Sequence, residues 1–156
     1  MKLIQALLEQ EKILVPRRSK EERAKNHLVV TQKKIQQYIK DGSKGGLDLR
    51  DTPIISLPDN LEKVGGNLDL YGTQIKSLPD NLQIYGSLWL TYTPIKSLPN
   101  NLQVGRHLFL SYSAIESLPN TLKVGETLWI EKTPLAKKYS DKEIRNLLDV
   151  KEIVRF

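Results

Sequence analysis

The stretch SLWLTYTPIKSLPNNLQVG, Ser87 to Gly105, decides how the chain is built. Leu88, Trp89 and Leu90 alternate, so the two leucines share one face of a short strand and the tryptophan takes the other. Leu98-Pro99 forbids a helix interior, because proline lacks an amide hydrogen and pushes the residue before it towards extended backbone. Gly105 lets the chain turn before the next strand. One such unit, about twenty residues long, has too few apolar side chains to enclose a core alone.

Working outward, the unit recurs. Thr93-Pro-Ile-Lys-Ser-Leu-Pro-Asn-Asn-Leu102 matches Thr52-Pro-Ile-Ile-Ser-Leu-Pro-Asp-Asn-Leu61, Thr73-Gln-Ile-Lys-Ser-Leu-Pro-Asp-Asn-Leu82 and Ser113-Ala-Ile-Glu-Ser-Leu-Pro-Asn-Thr-Leu122. Thr133-Pro134-Leu135 opens a fifth copy that stops. From Thr52 the steps are 21, 20, 20 and 20 residues, the extra one lying in Leu61-Glu62-Lys63-Val64. Copies stacked in parallel would align their leucines, isoleucines and valines into columns shared along a solenoid.

These residues resemble a leucine-rich repeat, Leu-x-x-Leu-x-Leu-x-x-Asn-x-Leu, with Thr or Ser in the Asn slot. They are more closely similar to the short SLPDNL…VGG-x-L-x-L-x-x-T-P-I repeat proteins of bacteriophages and bacteria, over residues 44–140. The resemblance implies an α+β fold: a short, curved leucine-rich-repeat solenoid with a concave parallel β-sheet, generally used for protein recognition. It also implies a phage accessory protein that binds or inhibits a bacterial host protein. Thr133 to Ser140 resembles the closing segment of such chains. The departure is the ladder Thr52, Thr73, Thr93, Ser113, Thr133, since a hydroxyl offers one donor where an asparagine amide offers two.

A solenoid needs covered ends. Ser19 and Glu22 have capping-box spacing, followed by Ala24, Leu28, Thr31, Ile35 and Tyr38/Ile39 at helical intervals and by Gly42 as a stop. That spacing predicts a helix over 20–41 that seals the first strand. Ser140 and Glu143 repeat the box before Ile144, Leu147 and Leu148, which predicts a second sealing helix, and residues 152–156 alternate as a weak terminal strand. A further short helix, residues 1–14, is expected before Val15-Pro16, with Met1, Ile4, Leu7 and Leu8 on one face. The organisation is an N-terminal helical cap over 1–46, repeats over 47–135 and a C-terminal cap over 136–156, all one structural domain.

Of 156 residues 39% are apolar and 27% charged, a globular composition. The absence of cysteine removes disulfides, thiol nucleophiles and thiolate metal sites, and suits a reducing compartment. No apolar run reaches membrane-spanning length and no signal-peptide core is present, so the expected location is the cytoplasm, the host's if the chain is phage-encoded. The net charge of +6 is uneven: 1–46 carries +6, 47–135 carries −2 and 136–156 carries +2.

No catalytic, cofactor or metal motif emerges. His27 and His107 lack spaced partners, and Asp41-Gly-Ser-Lys-Gly-Gly46 lacks P-loop spacing, so the chain reads as non-enzymatic. The outward faces of the strands carry more. Between the leucines stand Asp48, Asp69, Trp89, Phe109 and Trp129, which puts both tryptophans of the chain in one column with a phenylalanine between them. Strands about 4.8 Å apart would let these rings stack. The expected partner-binding residues are Trp89, Phe109 and Trp129 as anchors, Tyr71, His107 and Tyr112 as support, and Asp48 and Asp69 to select a basic edge. The partner expected is a protein, with self-association as an alternative and a carbohydrate site the lesser reading. A nucleic-acid-associated protein using Arg17, Arg18, Lys33 and Lys34 of the basic cap is the other alternative, with weak binding at most.

Overall fold

A computed structural model describes residues 19–155. The expected helix of residues 1–14, together with Arg17 and Arg18, lies outside them. Each repeat supplies two short strands. The Leu-x-Leu segments form β1 (Leu47–Asp48), β3 (Leu68–Asp69), β5 (Leu88–Trp89), β7 (Leu108–Phe109) and β9 (Thr127–Trp129). The segments ahead of the glycines form β2 (Lys63–Val64), β4 (Gln83–Ile84), β6 (Gln103–Val104) and β8 (Lys123–Val124). With β10 (Glu152–Val154) they make two parallel sheets, β1-β3-β5-β7-β9-β10 and β2-β4-β6-β8. The chain is a parallel-strand β-solenoid of about four turns. Its third side carries the Ser-Leu-Pro segments, where proline removes ladder donors. There an isolated parallel bridge, Ser56 with Ser77, and scattered backbone bonds join the coils, such as Lys76 N–H to Ile55 O at 3.0 Å and Leu135 N–H to Ile115 O at 2.9 Å.

Registry puts like on like. Leu68, Leu88, Leu108 and Leu128 pair in one column and are fully buried, as are Leu70, Leu90, Leu110 and Ile130 in the next. Each side chain so removed from water contributes about 1.5–3 kcal/mol, shared with the coils above and below. The threonine ladder lies inside. Thr73, Thr93 and Thr133 are buried and donate their hydroxyls to Leu70 O, Leu90 O and Ile130 O at 2.6–2.8 Å. One donor therefore suffices: it closes the turn after each strand within its own coil. Ser113 instead accepts from Ile115 N–H at 3.5 Å.

The glycines ahead of the strands have a different reason from the turn expected of them. Gly105 and Gly125 have no positive φ. A Cβ on Gly105 would stand 2.3 Å from Tyr85 O, and one on Gly125 would stand 2.0 Å from Gly105 O. Close approach of neighbouring coils forbids any side chain there.

At one end lies α1 (Lys20–Lys40), opened by the complete Ser19–Glu22 capping box. It buries Thr31 and Ile35, the latter in the same hydrophobic cluster as the repeat columns. The Tyr38 hydroxyl lies 2.9 and 2.8 Å from Ser43 O and Gly45 O and accepts from Gly65 N–H, tying the helix stop to the first coil. Burial pushes the Tyr38 phenol above its ordinary pKa. At the other end the chain makes α2 (Pro134–Lys138), a helical turn the sequence pattern did not announce, capped by the Thr133 hydroxyl. Then comes α3 (Asp141–Leu147) with its complete Ser140–Glu143 box. Ile144, Leu148 and Val150 join the core cluster, and β10 pairs with β9. No described helix is long and apolar enough to cross a membrane.

Candidate binding face

In each Leu-x-Leu strand both leucines are buried and the residue between them faces out. Registry then sets Asp48, Asp69, Trp89, Phe109 and Trp129 in line. The aromatic members stack: Trp89 on Phe109 at 5.0 Å and 9°, Phe109 on Trp129 at 5.7 Å and 25°. All three are half-buried.

A second row runs beside the first. The turn after each strand places one residue in left-handed backbone, giving the column Asp51, Gly72, Tyr92, Tyr112 and Lys132 with φ of 54–66°. That conformation costs a non-glycine residue about 1–2 kcal/mol, and it belongs to the repeat's turn, since aspartate and lysine adopt it too. It turns Tyr92 and Tyr112 outward, where their rings stack at 4.8 Å and 19°. Tyr71 meets Tyr92 edge-on at 5.5 Å and 76°. Between the rows is an open depression of ≈ 640 Å³, with Asp51 and Asp69 at one end and Glu131 at the other.

The electrostatics of the two ends differ. Arg50 clasps Asp48 with its Nη2 2.8 Å from Oδ2, and its Nε lies 3.4 Å from Asp69 Oδ2. The guanidinium holds the Asp48 carboxyl below its ordinary pKa. Asp69 goes the other way: partial burial raises it, against the Tyr71 N–H bond and the Arg50 charge. At the far end Tyr112 donates its hydroxyl to Glu131 Oε1 at 2.9 Å, which raises the phenol's pKa.

Of the expected site residues, Trp89, Phe109, Trp129, Tyr71, Tyr112 and Asp69 line this one depression. Asp48 lies a strand away on β1 with its charge matched by Arg50. His107 falls on the opposite flank of the ring stack, its Nε2 3.1 Å from Glu126 Oε2 and its ring 6.0 Å from Phe109. His107 Nδ1 is buried without a hydrogen-bond partner among the described residues. That flank is closed by coil-to-coil bonds: Asn67 Oδ1 accepts from Ser87 N–H, and Ser87 Oγ from His107 N–H. The sequence reading left Tyr92 and Glu131 out of the site. Their signal was the fixed interval after Leu-x-Leu, which gives Tyr92 and Tyr112 equivalent places.

Lys33 is exposed on α1, and Lys34 donates its Nζ to Asp48 O. Among the described residues no three His, Cys, Asp or Glu side chains gather as a metal site. Comparison with protein-family models, with curated proteins and with solved structures finds no match to this chain.

Proposed function

We propose that the chain is a non-enzymatic leucine-rich-repeat module that recognises a partner protein through the outward face of its six-stranded sheet. The observation that carries this reading is the pair of aromatic rows, six rings half-buried or exposed on a rigid sheet with no covering element among the described residues. Large rings set among small polar and charged groups are the composition of an interface centre with its rim. The Leu-x-Leu strands and buried threonine ladder support the repeat identity. The helices at either end, whose apolar residues enter the common core, support their role as caps. In this reading a bacterial host protein is the target and binding alters its activity.

The test is capture from a bacterial lysate by wild type and by Trp89→Ala and Phe109→Ala, each first shown folded by circular dichroism. Proteins retained by wild type and lost from both variants support the reading. Equal retention by all three would sink it.

A further inference from the structure

The occupant of the groove can be named by its chemistry. In the stack Trp89–Phe109–Trp129 the rings lie nearly parallel, so Phe109 has a neighbour over each face and each tryptophan over one. What the row offers outward is ring edges. A sugar binds by laying its C–H face on an aromatic face, and the centre of this row has none to give. Edges carry the positive side of the ring quadrupole and suit peptide carbonyls and apolar side chains instead.

Charge narrows the choice further. Among the residues lining the groove, Asp51, Asp69 and Glu131 stand at its ends against one cation, Arg50, which Asp48 already clasps; Lys132 ends the second row beside Glu131, outside the lining. This is an acidic groove on a chain of net charge +6. It repels phosphates and attracts cations. From β1 to β9 there are four strand steps of ~4.8 Å, a length an extended chain covers in about six residue steps.

We infer that the groove binds an extended peptide segment of about seven residues running across the strands, with a basic side chain near each end and apolar side chains between. Alternate side chains point down: the middle two pack between the aromatic rows, and the terminal cations meet Glu131 at one end and Asp51 and Asp69 at the other. The inference rests on the binding function proposed above and names its ligand class.

The probe is acetyl-Lys-Ser-Leu-Ser-Leu-Ser-Lys-amide, titrated against the intact chain by tryptophan fluorescence, beside peptides with Glu or Ser at both ends. The lysine peptide is expected to bind about tenfold more tightly than the glutamate peptide, through attraction at both ends instead of repulsion. That advantage should collapse at about 1 M salt, where charges are screened within ~3 Å. Glu131→Gln and Asp51→Asn, both surface changes, should each weaken the lysine peptide severalfold and leave the serine peptide unchanged. Equal binding of lysine and glutamate peptides, no binding of any peptide, or indifference to both substitutions overturns the inference. If lysate capture still depends on Phe109 in that case, the binding function survives and only the peptide class is wrong.

Discussion

The two sheets of the solenoid are made by the same repeat and stacked in the same parallel register, yet their outward faces have nothing in common. On β2, β4, β6 and β8 the outward residues are Lys63, Gln83, Gln103 and Lys123. On the facing Leu-x-Leu strands they are Asp69, Trp89, Phe109 and Trp129. The inward residues, Val64, Ile84, Val104 and Val124 on one side and leucines on the other, are equally buried. Packing therefore accounts for what faces in on both sheets and for nothing that faces out. A polar exterior is what a solvated sheet needs; a row of rings is not. The asymmetry is what favours the aromatic side for the binding proposed above.

The comparison breaks first if the inner columns are not equivalent. Leu88→Ala empties a fully buried position shared by three coils and should cost ~2–5 kcal/mol in urea unfolding. Val104→Ala, beneath the polar sheet, removes fewer atoms and should follow with a smaller loss of the same kind. If Leu88→Ala left the midpoint in place, the columns would not be the core.

The outward residues should respond differently from the inward ones. Gln103→Ala is expected to change stability by no more than ~0.5 kcal/mol. Phe109→Ala loses its two ring contacts, about 0.5–1.5 kcal/mol each beyond burial, and should still fold. Its partner affinity, by contrast, should fall by ~2 kcal/mol or more. A neutral quencher should reach the tryptophans in the free protein. Rings fully shielded from the quencher, with Phe109→Ala melting like Leu88→Ala, would make the stack internal packing.

Much of this was legible in the residues, and the limits have physical causes. The period, the inward leucines and the Trp89–Phe109–Trp129 line follow from alternation alone, because a strand's side chains have only two directions. Both capping boxes follow from local spacing. Where a turn points its side chain depends on backbone handedness, which no alternation encodes. Tyr112 was expected in the site and Tyr92, its equivalent one coil earlier, was not, although both stand at the same left-handed position. His107 was assigned by alternation to the face of Phe109, but its ring leans towards Glu126 on the next coil, a charge nineteen residues away in sequence. Asp48 and Asp69 read as unmatched charges until Arg50, two residues on from Asp48, folds back on both. Gly105 and Gly125 looked like turn glycines because contact between coils is invisible within a single copy.

The hydroxyl ladder separates the two sheets more finely, since it closes only the turn after the aromatic strands. Thr93→Val keeps the shape but leaves Leu90 O buried without its 2.6 Å donor. The expected cost is ~1–3 kcal/mol. Ser113→Ala, at the one ladder position whose hydroxyl accepts at 3.5 Å rather than donating, should cost clearly less. Equal losses at the two sites, measured by chemical unfolding, would show that the ladder is filler rather than a turn lock.

The smallest effect concerns where the two sheets end. The polar sheet stops at β8, while the aromatic sheet gains a sixth strand, β10, delivered by α3. That helix begins at Ser140, whose backbone N–H and hydroxyl both donate to Glu143 Oε2, at 2.7 and 2.8 Å. These bonds favour the carboxylate and lower the Glu143 pKa from its ordinary 4.5. A depressed folded-state value means the stabilisation is fully present above 4.5 and is lost as pH falls through the lowered value. Glu143→Ala should therefore be less stable than wild type at neutral pH, with the gap closing in acid. Because β10 pairs only with β9, hydrogen exchange should show the loosening at the Ile130 amide, which donates to Val154 O, and not at Gly125, which donates to Val104 O. A gap that stayed constant with pH, or exchange that rose equally at both amides, would mean that the box does not govern the added strand.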